Sequence, residues 1–270
     1  MNRIETAFAD AKESGHPVLL PFLCAGSPEL DSLTSLLPAL QSAGASIVEI
    51  GFPYSDPVAD GPTIAAAMHD ALERGITPTK IFDQVRSVRD ELTIGVVAMV
   101  SVSIVQALGG AEAFANQAAD AGFDGLIIPD LSFDESKQYT DACKAAGLTF
   151  TMLIAPTTPD ERAVDIANAS SGFAYLLARS GITGQSKSVP DISARVRTIR
   201  KKSNTPIACG FGISTPDHVQ SIVQYADGAI VGSALVSRIL KAHDQGKDYA
   251  VEAELAVTEL ATGLISMDQL

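Results

Sequence analysis

The chain has 270 residues, of which 46% are hydrophobic and 19% charged, a balance that suits a large buried core and excludes a disordered chain. Its 19 Lys and Arg against 32 Asp and Glu leave a formal charge of −13. That field repels nucleic acid and anionic membranes, so backbone amides would have to hold any anionic ligand locally. Cys24, Cys143 and Cys209 lie far apart and read as buried reduced thiols rather than a metal or redox site. The first residues form no apolar leader and no run reaches transmembrane length, so the expected location is the cytoplasm.

Short apolar runs alternate with helix-period segments along the chain. Strand-like runs fall at 18–24, 47–51, 94–100, 125–128, 150–154, 173–177, 206–209 and 228–231. Most are bounded by Gly, Pro or Asp and apolar on both faces, as strands buried in a parallel sheet are. Amphipathic stretches lie between them at 31–43, 78–90, 111–121, 134–146, 160–169, 192–202 and 216–225. Two helical segments exceed the repeat, 2–14 before the first strand and 65–74 after the second. Ser27-Pro28-Glu29, Thr77-Pro78, Thr158-Pro159-Asp160 and Thr215-Pro216-Asp217 read as capped helix starts, and the Ala-Gly pairs at 43–44, 121–122 and 146–147 as helix ends. Pro38 should kink the first of the amphipathic segments. Eight strands with intervening helices predict an α/β fold, a single (β/α)8 TIM-barrel domain over 1–270 with an N-terminal extra helix and an additional helix after strand 2.

Two regions carry chemistry. The first runs from Glu49 to Thr63, where an apolar strand ends in a carboxylate and a Pro- and Gly-rich loop adds Asp56 and Asp60. A charge at a buried strand end is costly unless it works or is paired, and barrels build their active sites at that end. Glu49 reads as a general acid/base or as a structural carboxylate bonded to loop amides. Asp60 reads as an orienter of a substrate N–H or as a helix cap, Asp56 as a turn residue, and Asp130 as a structural brace for its loop. Tyr175 lies within the sixth strand and faces either the pocket or the core.

The second region is a phosphate site. Gly210-Phe211-Gly212-Ile213-Ser214 follows the seventh strand, and Gly232-Ser233-Ala234 follows the eighth and opens a helix. Barrels hold phosphate in these loops because unpaired N–H groups and the helix dipole meet there, with glycine allowing close approach. Gly181-Ile182-Thr183-Gly184 would close the third side, and Arg179 would add charge there or make a surface ion pair. His16, His69, His218 and His243 do not cluster, and no dinucleotide fingerprint or P-loop lysine occurs. The residues alone thus predict a barrel enzyme acting on a phosphorylated metabolite by cofactor-free acid–base chemistry.

The stretches 20–28, 49–63, 129–131, 175–184, 210–214 and 232–234, above all Ser55-Asp56-Pro57-Val58-Ala59-Asp60-Gly61-Pro62, resemble the tryptophan synthase α subunit family, over essentially the whole chain. The resemblance implies a lyase of tryptophan biosynthesis that cleaves indole-3-glycerol phosphate to indole and glyceraldehyde 3-phosphate by a retro-aldol reaction. It implies that Glu49 is the acid/base, that Asp60 holds the indole N–H and that Tyr175 lines the site beside Glu49. By the same resemblance Gly184, Gly212, Gly232 and Ser233 hold phosphate, Thr183 helps close a loop over substrate, and Phe22, Leu126 and Phe211 form apolar walls. No metal or organic cofactor is implied, pyridoxal phosphate belonging to the β chain of an α2β2 heterotetramer. Where the family usually has Tyr-x-Asn-Pro this sequence has Ser101-Val102-Ser103-Ile104, and Ala65-Ala66-Ala67-Met68 lacks a usual Gln. Ser132 replaces a common Pro, and the stretch 184–190 is short. These departures touch partner coupling more than chemistry. They keep two alternatives open, a free-standing indole-3-glycerol phosphate lyase and a ligand-binding activator of a β subunit with little turnover of its own.

Overall fold

A computed structural model describes residues 2–57, 60–178, 191–210 and 212–264. In chain order these form α1 (Arg3–Ser14), β1 (Val18–Cys24), α2 (Leu33–Ser42), β2 (Ile47–Gly51), α3 (Pro62–Glu73), α4 (Pro78–Val88), β3 (Gly95–Met99), α5 (Val102–Ala107), α6 (Gly110–Ala121) and β4 (Gly125–Ile127). Then follow α7 (Ser136–Ala145), β5 (Thr149–Thr151), β6 (Leu153–Ile154), α8 (Asp160–Ala169), β7 (Ala174–Leu177), α9 (Ser193–Arg200), β8 (Ile207–Gly210), α10 (Pro216–Val223), β9 (Gly228–Val231), α11 (Ser233–Asp244) and α12 (Tyr249–Ala261). All strand pairs are parallel, in the order β5-β4-β3-β2-β1-β9-β8-β7-β6. The two outermost strands, β5 and β6, are separated in sequence by Met152 alone. The nine strands are therefore a nearly closed TIM barrel whose expected fifth strand is split. At the split, Met152 N–H bonds the Ser170 hydroxyl at 3.2 Å, while its carbonyl accepts from Tyr175 N–H at 3.0 Å.

Side chains alternate between the barrel lumen and the layer under the helices. Leu20, Ile47, Val97, Ile127, Phe173, Tyr175, Ala208 and Ile230 face the lumen. Their neighbours Leu19, Val48, Val96, Leu126, Leu176, Cys209 and Val231 pack outward into the larger core. The lower end of the lumen is filled by α1, which inserts Ile4 and Phe8. Asn2 caps this helix in a capping box with Glu5, and its amide donates to the carbonyls of Asp124 at 2.6 Å and Gly147 at 3.1 Å. Gly95 and Gly125 leave the room that Ile4 takes: a Cβ would come within 2.9 and 2.8 Å of its side chain.

The local signals hold in part. Thr77 and Thr215 do cap α4 and α10, accepting N–H bonds at 3.3 and 3.2 Å. Ser27-Pro28 instead forms a cis peptide in the turn before α2, and α8 has Pro159 at its cap position, with no side-chain cap. The glycines after α2, α6 and α7 (Gly44, Gly122, Gly147) all adopt left-handed φ. Helix α2 runs through Pro38. Helix α3 begins at Pro62, three residues before the expected start. In the Ser101–Ile104 stretch Ser101 caps α5, its hydroxyl accepting from Ser103 N–H, and the helix starts at Val102. No described helix is long and apolar enough to cross a membrane.

Ile4 is fully buried, so Ile4→Ala should cost about 2–5 kcal/mol. A urea titration checks this, and a loss below about 1 kcal/mol would contradict the plug.

Candidate active site

The parallel strands deliver their carboxyl ends to one mouth, and the candidate residues gather there. Glu49 sits on β2 between Phe22 of β1 and Val97 of β3 in the ladder register. It is 0% exposed, and among the described residues neither carboxyl oxygen has a hydrogen-bond partner. Among the described residues no loop amide bonds this carboxylate. Burial alone pushes its pKa up to about 8, leaving a neutral acid at physiological pH. Tyr175 is also buried and faces the lumen. Its phenol is driven well above its ordinary value, first by burial and then by the nearby Glu49 charge. Its hydroxyl packs over Gly210, where a Cβ would lie 2.5 Å away, so β8 needs glycine at that position.

Asp60 enters from the loop after β2. Its backbone N–H bonds the Pro57 carbonyl at 3.0 Å, and the cap position of α3 belongs to Gly61, with no side-chain cap. The helix-cap reading of Asp60 therefore falls away. Burial raises its carboxyl to about 6. The Cys24 thiol, pushed up to about 12 by burial and secondarily by the Asp60 charge, places that carboxylate on the β1 side of the mouth. Asp56 is exposed. Asp130 braces its loop: it accepts from the Ser101 hydroxyl at 2.7 Å and from Val102 N–H at 2.9 Å, fastening α5 to the end of β4.

Next to β1, at the end of the paired strand β9, Gly232 is the cap residue of α11 and Ser233 its first residue, and among the described residues no side chain caps this positive helix end. Gly232 lies against Phe22 and Ile64, each about 3.7 Å from where its Cβ would be. Gly212, in the loop after β8, has φ +80°, a conformation that side chains disfavour. Thr183, Gly184, Arg179 and Phe211 lie outside the described residues.

One wall assignment is corrected. Leu126 points outward among Val96, Phe150 and the helices, while its neighbour Ile127 faces the lumen. The apolar run 125–128 carries no alternation of polarity from which the inward residue could be read; only the register with β3 and β5 sets it. The mouth also has apolar residues that the sequence did not single out. Met99, Leu153 and Leu177, partly exposed ends of β3, β6 and β7, pack on the lumen cluster. Cys24, Ile64, Met68 and Val236 pack with Phe22. A groove of about 380 Å³ at the other end of the barrel, lined by Phe8, Lys12, Arg200 and Tyr225, contains none of the candidate residues.

Fold and mouth together define the class: a TIM-barrel enzyme with a buried acid on β2 and a glycine-opened helix start after β9, both flanking β1. The family model described as tryptophan synthase alpha chain matches residues 8–264. The tryptophan synthase alpha chain of Synechococcus sp. (strain CC9902) is 42% identical over 259 residues, covering 95% of each chain. That of Phenylobacterium zucineum is 38% identical over 261 residues, covering 96% of this chain and 94% of the relative. The crystal structure of tryptophan synthase subunit alpha from Legionella pneumophila superposes with a TM-score of 0.89 at 30% identity over 100% of both chains. A Mycobacterium tuberculosis tryptophan synthase structure gives 0.87 at 32% identity, covering 97% of this chain and 98% of the other. The chain belongs to the tryptophan synthase alpha chain family, whose alpha reaction is that of a lyase.

Glu49 makes a stability prediction. Its carboxyl ionises near 4.5 unfolded and near 8 folded, so its favourable contribution is complete below pH 4.5 and is lost as pH rises through 8. Wild type should lose stability relative to Glu49→Gln between pH 5 and 8.5, read from urea midpoints. A difference that is constant over this range would contradict a buried neutral carboxyl.

Proposed function

We propose that the chain cleaves indole-3-glycerol phosphate to indole and glyceraldehyde 3-phosphate. The observation that carries this reading is Glu49, a buried, neutral acid with no partner among the described residues, near Tyr175 in a member of this family. Glu49 gives its proton to indole C3. The ring nitrogen becomes positively charged, and the Asp60 carboxylate stabilises it. The Glu49 carboxylate then takes the proton from the hydroxyl on the adjoining glycerol carbon. The carbon–carbon bond breaks, its electron pair returns to the indole ring and the aldehyde forms. Glu49 ends protonated, as it began. Tyr175 packs beside Glu49 and keeps water from it. Gly212, Gly232, Ser233 and Gly184 hold the phosphate through amides and a hydroxyl, because the helix end favours an anion in a chain of net negative charge. Phe22 and Phe211 flank the indole, with Ile127 in the place expected of Leu126, and Thr183 belongs to the stretch that closes over substrate.

We further propose that the chain is one domain, works in the cytoplasm and pairs with a tryptophan synthase β chain in an α2β2 assembly. The β chain would carry pyridoxal phosphate, and this chain would carry no cofactor. Family membership supports this pairing. Indole release, assayed with and without a β chain, tests both parts. No release in either mixture overturns the reaction, and equal rates in the two together with separate sedimentation overturn the coupling.

Glu49→Gln should lower kcat by about 10²–10⁴ with substrate affinity nearly unchanged, measured by steady-state kinetics and equilibrium binding; near-normal turnover would remove Glu49 from the acid/base role. Asp60 must be ionised and Glu49 protonated in the free enzyme. With pKa values of about 6 and about 8, kcat/KM should fall both below the first and above the second. In Asp60→Asn the acidic limb should disappear from whatever activity remains.

A further inference from the structure

We infer that Met99 sets which ring-substituted indoles this enzyme accepts, an inference that rests on the reaction proposed above. On β2 the residues that face the lumen near the mouth are Glu49 and, two positions further on, Gly51. Gly51 offers no side chain, and the space its Cβ would occupy is taken by the Phe22 ring. On β3 the matching residues are Val97, opposite Glu49, and Met99, opposite Gly51. Val97 is fully buried, whereas Met99 is the one residue of β3 that is partly exposed. Met99 packs both on the lumen cluster that contains Tyr175 and on the cluster of Phe22, Cys24, Ile64 and Met68. Its backbone is held in place, since its carbonyl accepts from Phe52 N–H at 2.8 Å.

A planar ring that reaches Glu49 from the mouth must therefore pass between the Phe22 face and the Met99 thioether. The two walls differ in what they permit. The Phe22 ring is buried and lies over Gly51, filling the space a Cβ would take there. Met99 is unbranched, has three rotatable bonds and opens toward the mouth, so its end can move aside for an added group. Substituents on the benzo ring would be accommodated on the Met99 side.

The test is the reverse condensation of glyceraldehyde 3-phosphate with indole and with methylindoles substituted at each benzo-ring position. It is run on wild type, Met99→Ala and Met99→Phe. The quantity read is kcat/KM for each methylindole divided by that for indole. One methylene in an apolar pocket is worth about 10–200-fold. For at least one position the ratio should fall about tenfold or more in Met99→Phe and rise in Met99→Ala. Ratios within about twofold of wild type at every position in both variants would overturn the role of Met99. Circular dichroism reports whether each variant folds, and if the Phe variant does not, the Ala ratios alone decide. Failure of wild type to condense indole itself would refute the reaction instead, so the two failures are distinguishable.

Discussion

A carboxyl group held in an apolar lumen, with no partner among the described residues, is the constraint around which the rest of the barrel is arranged. An ionised Glu49 would be very costly where it sits, so the resting site keeps it protonated. That choice requires dry neighbours on every side. Val97 and Phe22 provide them in the ladder register, and Tyr175 faces it across the lumen. The same burial that costs stability makes Glu49 an acid with a pKa of about 8, close to the pH at which proton transfer in either direction is efficient.

Asp60 shows the complementary arrangement. It comes from a loop, stays partly exposed and is raised only to about 6. Two carboxyl groups eleven residues apart thus hold different protonation states at neutral pH, through unequal desolvation. The proposed phosphate side would draw on yet another source of field, the start of α11 with Gly232 and Ser233. Backbone groups would do there what a lysine would do elsewhere, which would reconcile an anionic ligand with a chain of charge −13.

Much of this was legible in the sequence because the relevant signals are local. Apolar runs bounded by Gly and Pro marked strands at nearly their true positions, and an acid ending such a run stood out at Glu49. What escaped was whatever depends on register or on distant partners. Leu126 and Ile127 are equally apolar, and only strand pairing decides which faces the lumen. Met99 has no polar group to draw notice. The buried pair Arg89–Asp124, 3.1 Å apart with Asp124 also accepting from Val96 N–H at 2.9 Å, joins elements 35 residues apart. Asp130 was the exception: a brace could be read for it, although its partners, Ser101 and Val102, could not.

The α1 plug has a consequence for traffic through the molecule. With Ile4 and Phe8 seated in the lower lumen, a small apolar product cannot drain through the barrel. Indole and the phosphorylated fragment must use the doorway by which the substrate arrived. Whichever lies nearer the opening leaves first, and a partner seated over that opening would intercept the product that follows.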